Sequence, residues 1–189
     1  MSKRSEPRLP GDGVIWLLVV IELLTFGLLF LSFAVARWRE PEVFAQGQAA
    51  LSLNTGAVNT LLLVGASWCA ARAVHALRGH QTVAGSRWLF GALACAVGFL
   101  IVKSHEFAGK IADGFDWATD SFTMLYTLLT GFHFLHVLVG AMVFAVLGWK
   151  ARQGAYGPDQ LNAPESGAVF WHMVDLLWMV LFPLVYVIR

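Results

Sequence analysis

Five long apolar runs constrain this chain more than any other feature of its sequence. They lie at about residues 13–36, 51–76, 87–108, 121–148 and 167–188. A helix needs roughly 20 apolar residues to cross a hydrocarbon core about 30 Å thick. Backbone groups in lipid must be hydrogen-bonded within their own segment, and the runs lack the alternation of barrel strands. The sequence therefore predicts an all-α polytopic membrane protein, a bundle of five transmembrane helices forming one domain over residues 1–189.

Composition supports a membrane protein and gives no sign of a nucleic-acid partner. Only 13% of the residues are charged, mean hydropathy is +0.66 and the net charge is +1. A soluble domain carries about twice that charged fraction. Cys69 and Cys95 both lie in apolar runs without the spacing of a zinc or redox motif. We interpret each as a small buried apolar residue.

The first apolar run predicts a retained membrane helix that follows a short tail, residues 1–12. A signal peptide has an apolar core of about 7–15 residues, whereas this run is longer and ends in RWRE. Basic residues favour the inner side of a membrane. One side of the predicted bundle holds Lys3, Arg4, Arg8, Arg72, Arg78, Arg87, Lys150 and Arg152; the other holds Arg37, Arg39, Lys110 and Arg189. The N-terminus is therefore predicted inside and the C-terminus outside.

Ionisable side chains lie within the predicted spans, where they are costly and usually face a partner or a cavity. The most informative is Glu22, about ten residues into the first span. Burial favours the neutral form of a carboxyl group, so a hydrogen bond to a neighbouring helix accounts for it. The alternative is a proton relay or a gating group. If the first span packs against the fourth, a histidine there is the natural partner.

His133 and His136 are three residues apart in the fourth span and could hold a metal or a haem, or join helices. A haem held by two histidines normally draws them from two helices, and His172 is offset towards the inner side. Zinc and copper centres generally recruit more ligands than two histidines. We therefore predict interhelical hydrogen bonds, with no metal, cofactor or catalytic residue in this chain.

Two further polar groups have local interpretations. His172 and Asp175 are neighbours on one helix face and predict a local hydrogen bond near the inner interface, with support of a metal ligand as the alternative. Lys103 and Glu106, together with Lys110, predict ion pairs in a cluster that reaches the outer surface.

Five motifs in order resemble subunit III of the haem–copper oxidases. They are IELLTF at 21–26, LNT at 53–55, KSHEF at 103–107, TGFHFLHVLVG at 130–140 and WHMVDLLWMVLFPLVY at 171–186. In that family Glu22 maps onto a buried glutamate, and Glu106 maps onto a glutamate at a helix end. The resemblance covers the chain from about residue 11 to the C-terminus.

The resemblance implies a non-catalytic accessory subunit in a bacterial inner membrane. Subunit III carries no redox cofactor, packs beside a haem-bearing catalytic subunit, supports its stability and proton uptake, and holds lipids in a cleft. Long members have seven helices, and this chain resembles the last five. Its length and opening are most similar to the type associated with nitric oxide reductase (NorE), which implies a role in denitrification.

Two alternatives stay open. One is subunit III of a terminal cytochrome c or quinol oxidase in aerobic electron transport. The other belongs to a different class, a small membrane haem protein or a standalone proton channel.

Overall fold

A computed structural model describes residues 10–112, 120–157 and 160–188 of the chain. Within these ranges the structure is all-helical and contains no strand. The helices are α1 (Gly13–Arg39), α2 (Pro41–Ala49), α3 (Leu53–Arg78), α4 (Thr82–Ala112), α5 (Ser121–Arg152) and α6 (Asn162–Phe182), followed by a π-helical turn (Pro183–Val187). The all-α class is confirmed. Most of the predicted tail, with Lys3, Arg4 and Arg8, lies outside the described residues, as does Arg189.

Five helices are long and apolar enough to cross a membrane, and they correspond to the five predicted runs. The predicted runs stop a few residues short because several helices continue into polar termini. These ends carry basic side chains, such as Arg37 and Arg39 in α1 and Lys150 and Arg152 in α5. Five spans is therefore a candidate count, set by length and composition.

The short helix α2 was not predicted from the sequence. It begins with Pro41, which suits the first helical position, and Glu42 lies in its first turn. Its nine residues are too few to span a bilayer and show no long apolar run. Instead α2 lies across one end of the bundle, where Phe44 packs edge-on against Phe33 and Phe122, with ring centroids 5.0 and 5.5 Å away.

Gln48 joins α2 to the last turn of the chain. Its Nε2 donates to the backbone oxygens of Leu184, Val185 and Ile188, at 3.3, 3.0 and 3.0 Å. The last carbonyls of a helix have no partner within the helix, so a side-chain donor satisfies them. A nine-residue helix thereby closes one end of a membrane bundle.

The core of the bundle is built from α3, α4, α5 and α6. Small residues bring α3 and α4 together: a Cβ added at Gly91 would meet Cys69 Sγ at 3.4 Å, and one at Gly98 would meet Leu62 at 3.3 Å. Trp171 and Trp178 of α6 fill the interior and are fully buried. The close approach that small residues permit is typical of membrane helices.

Helix α1 packs against α5 and α6 through a narrow seam. Its buried residues are Val19, Phe26 and Phe33, seven residues apart. A seven-residue repeat keeps one stripe of a helix facing its neighbours. Glu22 falls three residues after Val19, on the same stripe. The rest of α1 presents aliphatic side chains outwards, as a lipid-facing helix does.

The two ends of the bundle are chemically distinct. One end, which we call the basic end, carries Arg78, Arg87, Lys150 and Arg152. There Glu165 of α6 accepts from Arg78 of α3 at 2.8 Å and from the N–H of Gly11 at 3.2 Å. Gly11 has a φ of +81° and tolerates no side chain, since a Cβ would meet Ser166 Oγ at 2.9 Å. The other end, with α2 and the π-helical turn, we call the α2 end.

The tight crossing of α5 and α6 gives a matched pair of substitutions. A Cβ on Gly140 would meet the Trp171 ring at 2.6 Å, whereas nothing lies within 4 Å of a Cβ on Gly131 in the same helix. We expect Gly140→Ala to lower the unfolding free energy by about 1–3 kcal/mol through overpacking. Gly131→Ala should leave it nearly unchanged. Thermal unfolding in detergent measures both, and equal loss in the two variants would contradict the crossing geometry.

Candidate functional site

The buried acid of α1 meets a histidine of α5. Glu22 Oε2 lies 3.2 Å from Nε2 of His136, with side chains 20% and 12% exposed. The two atoms are at ion-pair distance but out of line for a hydrogen bond. The structure therefore brings Glu22 to the fourth span, as the sequence suggested, and selects His136 as the partner.

The ring of His136 has one definite tautomer. Its Nδ1 lies 2.8 Å from the carbonyl oxygen of Phe132, one turn earlier in α5. A carbonyl only accepts hydrogen bonds, so Nδ1 carries a proton. Nε2 is the ring nitrogen that faces the carboxyl group of Glu22.

His133 does not join helices by hydrogen bonds. It is fully buried, and neither ring nitrogen has a hydrogen-bond partner within the described residues. The ring packs between aromatic rings of two helices, 5.7 Å from Phe99 and 5.1 Å from Trp178. The prediction of an interhelical hydrogen bond from His133 was wrong, because its neighbours at this level are aromatic rings without a free donor or acceptor.

Lys103 lies at the centre of a polar cluster near the α2 end. Its Nζ is fully buried and donates to Glu106 Oε1 at 3.1 Å, Tyr126 Oη at 3.0 Å and Tyr186 Oη at 2.7 Å. The two tyrosine hydroxyls in turn donate to the same Glu106 oxygen, at 2.6 and 3.0 Å. All three protons of the ammonium group therefore have acceptors, and α4, α5 and the π-helical turn are joined.

The expectation of a cluster that reaches the outer surface is corrected by this geometry. The predicted pair of Lys103 and Glu106 is present, but Lys103 points into the bundle because two tyrosines supply acceptors there. Lys110 is partly buried, with its Nζ 4.4 Å from the centre of the Tyr126 ring. A buried ammonium group is tolerated only where its charge and hydrogen bonds are compensated, as they are here.

His172 and Asp175 do not form the predicted hydrogen bond with each other. Asp175 Oδ2 instead accepts from Ser67 Oγ of α3 at 2.7 Å. The imidazole of His172 is exposed on the outer side of α6. The sequence correctly predicted that the two residues share one helix face. It could not predict that the Ser67 hydroxyl of α3 donates to Asp175.

Sequence reasoning missed several polar residues that complete these groups. They are Ser67, Tyr126, Tyr186, Gln48, Asn59 and the Thr60–Trp178 pair, whose Nε1–Oγ1 distance is 2.9 Å. Asn59 is fully buried and has no side-chain partner among the described residues. A usable signal was the second Asn-Thr pair of α3, which follows the noted LNT motif by four residues.

The described residues do not bring three or more His, Cys, Asp or Glu side chains together as a metal site. Of the predicted residues, Glu22 pairs with His136 and Lys103 pairs with Glu106, while His133 and His172 stand apart. The absence of a metal or cofactor stays a prediction. The polar groups that do meet form hydrogen-bonded or ion-paired sets between helices.

Comparison with known proteins gives the family. A family model described as cytochrome c oxidase subunit III matches residues 13–188. The chain belongs to the cytochrome c oxidase subunit III family. Proteins of this family are accessory subunits of haem–copper oxidases and associate with the catalytic subunit I.

Three similar proteins show the range of the family. Cytochrome c oxidase subunit 3 of Synechocystis is 30% identical over 97% of this chain and 78% of its own length. A probable cytochrome c oxidase subunit 3 of Nocardia farcinica is 27% identical over 98% of this chain and 91% of its own length. A haem–copper oxidase subunit I+III of Aeropyrum pernix is 25% identical, and the match covers 23% of that longer protein.

The Glu22–His136 contact gives a test by substitution. Glu22→Gln retains a side-chain donor for His136 Nε2, so we expect stability close to that of the unchanged protein. Glu22→Ala removes the side chain that contacts His136 Nε2 and should cost about 1–3 kcal/mol. Thermal unfolding of the detergent-solubilised protein measures the difference. Equal destabilisation by both variants would show that this contact does not stabilise the docking of α1.

The buried ion pair gives a second test. Lys103→Met leaves the Glu106 carboxylate without its cation and should cost about 3–5 kcal/mol. Glu106→Gln should also destabilise, but the double variant should cost clearly less than the sum because it leaves no unpaired charge. Lys150→Met, at an exposed lysine of the basic end, is the control. Additive losses in the thermal unfolding data would argue against a coupled pair.

Proposed function

We propose that this chain is a non-catalytic subunit III of a terminal cytochrome c or quinol oxidase in a bacterial inner membrane. In this role it supports assembly and stability of a haem-bearing catalytic subunit and its proton uptake. The observation that carries the proposal is how the intramembrane polar groups are arranged. Glu22 faces His136, and Lys103 faces Glu106 and two tyrosines. These side chains join helices to one another, which is what a supporting subunit needs.

The relatives favour an oxidase over nitric oxide reductase as the partner. The short length of the chain suggested the type associated with nitric oxide reductase. The Nocardia relative, however, carries the oxidase name and is covered over 91% of its length, so a short form also occurs under that name. Length therefore does not favour the denitrification hypothesis, and the similar proteins described above are oxidase subunits.

The fused relative supports a direct partnership with the catalytic subunit. Its name combines subunits I and III in one chain. If the segment similar to this chain packs beside subunit I there, the separate chain is expected to use the same partner. Bound membrane lipid at the outer surface is a further part of the proposal, since α1 exposes many aliphatic side chains.

We also propose that the basic end faces the cytoplasm, with the N-terminus inside and the C-terminus in the periplasm. Support comes from Arg78, Arg87, Lys150 and Arg152 at that end, against Arg37, Arg39 and Lys110 at the α2 end. An N-terminal tag should then be cleaved by added protease in inverted membrane vesicles and protected in right-side-out ones. The reverse pattern would refute this orientation.

Co-purification from native membranes tests the proposed function. The full chain, tagged and extracted in mild detergent, should retain a haem-bearing catalytic subunit that mass spectrometry identifies as an oxidase and that consumes oxygen. The haem absorption should follow the catalytic subunit when the complex is dissociated. Haem retained by the isolated chain would favour a small haem protein, and retention of a nitric oxide reductase would restore the denitrification hypothesis.

A further inference from the structure

One face of the bundle exposes an ionisable side chain where lipid offers it no partner. This face, which we call the α3–α6 face, consists of Val64 and Ala71 of α3 and His172, Leu176 and Met179 of α6. Ser67 and Asp175 lie beneath it, with Ser67 Oγ and Asp175 Oδ2 2.7 Å apart. The five surface residues are all exposed. Apart from His172 they are apolar.

The depth of His172 follows from residue counts. The last candidate span runs over 26 residues, Asn162–Val187, so His172 lies about 4 Å from its midpoint at 1.5 Å per residue. The hydrocarbon core extends about 15 Å to each side of the membrane centre. Asp175 is close to the midpoint itself, as is Ser67 in α3. Because Ser67 and Asp175 both lie near the midpoints of their helices, this polar group lies near the middle of the membrane.

Hydrocarbon cannot satisfy an imidazole at this depth, and a histidine is too short to reach the headgroups. Among the described residues, His172 is the exposed ionisable side chain nearest the middle of its span. Arg72, the next candidate, lies about 10 Å from the middle of α3 and packs over Trp88 at 5.6 Å. Its long side chain can extend towards the interface. Exposed ionisable groups within a membrane normally face another protein surface or a cavity.

Elsewhere on the outer surface of residues 10–112, 120–157 and 160–188, no exposed ionisable side chain lies as near to the middle of its span. Most outward side chains of α1 are aliphatic, and the hydroxyls of the half-buried Thr25 and the exposed Ser32 donate to backbone oxygens of the same helix. Lipid chains therefore suit α1. On the α3–α6 face, by contrast, His172 makes no hydrogen bond within the described part of the chain, and Asp175 Oδ1 is buried without one. Ala168, one turn before His172 in α6, and Ala71 of α3 have small side chains that would let another helix approach closely.

We propose that the α3–α6 face is the surface that packs against a transmembrane helix of the catalytic subunit. That helix presents a hydrogen-bonding side chain, or a backbone carbonyl freed at a kink, to the imidazole of His172. The proposal rests on the proposed function, because it names the surface by which the accessory subunit binds its partner. Asp175, three residues away in α6, lies beneath the same face and is held by Ser67 of α3.

Site-specific photo-crosslinking in native membranes tests the surface. A photoreactive amino acid replaces Leu176 on the α3–α6 face or, as a control, Leu24 on α1. The two sites have similar depth, and their side chains are 54% and 65% exposed. We expect the probe at Leu176 to link to the catalytic subunit and the probe at Leu24 to link only to lipid. Links from Leu24 alone, or from Leu176 to a second copy of this chain, would overturn the proposal.

Substitution of His172 separates binding from folding. His172→Leu should reduce retention of the catalytic subunit about threefold to tenfold, in line with the strength of interhelical hydrogen bonds. His172→Gln, which keeps a donor and an acceptor, should retain most of it. Thermal unfolding of the free chain should not change in either variant. Unchanged retention in His172→Leu would refute the surface.

The two proposals fail in distinguishable ways. If the unchanged chain co-purifies with the catalytic subunit but neither probe site links to it, the surface is wrong and the proposed function stands. If the unchanged chain retains no catalytic subunit at all, the proposed function itself fails.

Discussion

Hydrocarbon forms no hydrogen bonds, so a polar side chain at membrane depth is stabilised only by a partner within a protein. The same demand explains three separate features of this bundle. Glu22 turns towards His136 along the seam of α1, Lys103 turns inward to a carboxylate and two hydroxyls, and Asp175 takes a proton donor from α3. In each case the partner lies on a different helix or a different turn, so satisfying a polar group also fixes how helices sit together.

Two polar side chains at the ends of the bundle show the same principle at the membrane boundary. At the basic end, Glu165 accepts from Gly11, which precedes α1, and from Arg78 at the end of α3. At the α2 end, Gln48 donates to backbone carbonyls of the last turn. Between these ends the packing is apolar and close, with glycine and tryptophan opposed at Gly140 and Trp171. Polar contacts therefore define the register of the helices, and shape complementarity fills the space between them.

The sequence predicted the helices well and the polar contacts only in part. Run length and hydropathy suffice for α1 and α3 to α6, because crossing a bilayer imposes a minimum length. They miss α2, because it is too short to span the bilayer and its position depends on the residues of other helices that it packs against. Residue spacing on one helix predicted the Lys103–Glu106 pair, but it could not supply Tyr126 and Tyr186, which arrive from other helices. For the same reason spacing suggested a bond between His172 and Asp175, where the fold provides Ser67.

The separation of Glu22 and His136 along the chain has a consequence during biosynthesis. The ribosome adds about 5–20 residues per second, so α1 enters the membrane several seconds or more before α5 exists. Throughout that interval Glu22 has no imidazole beside it. The helix must therefore enter the membrane without this contact, with Glu22 shielded by the insertion machinery or by water, and Glu22 meets its partner only when the fourth span is inserted. A side chain that stabilises the folded bundle is thus energetically unfavourable in the first membrane-inserted intermediate.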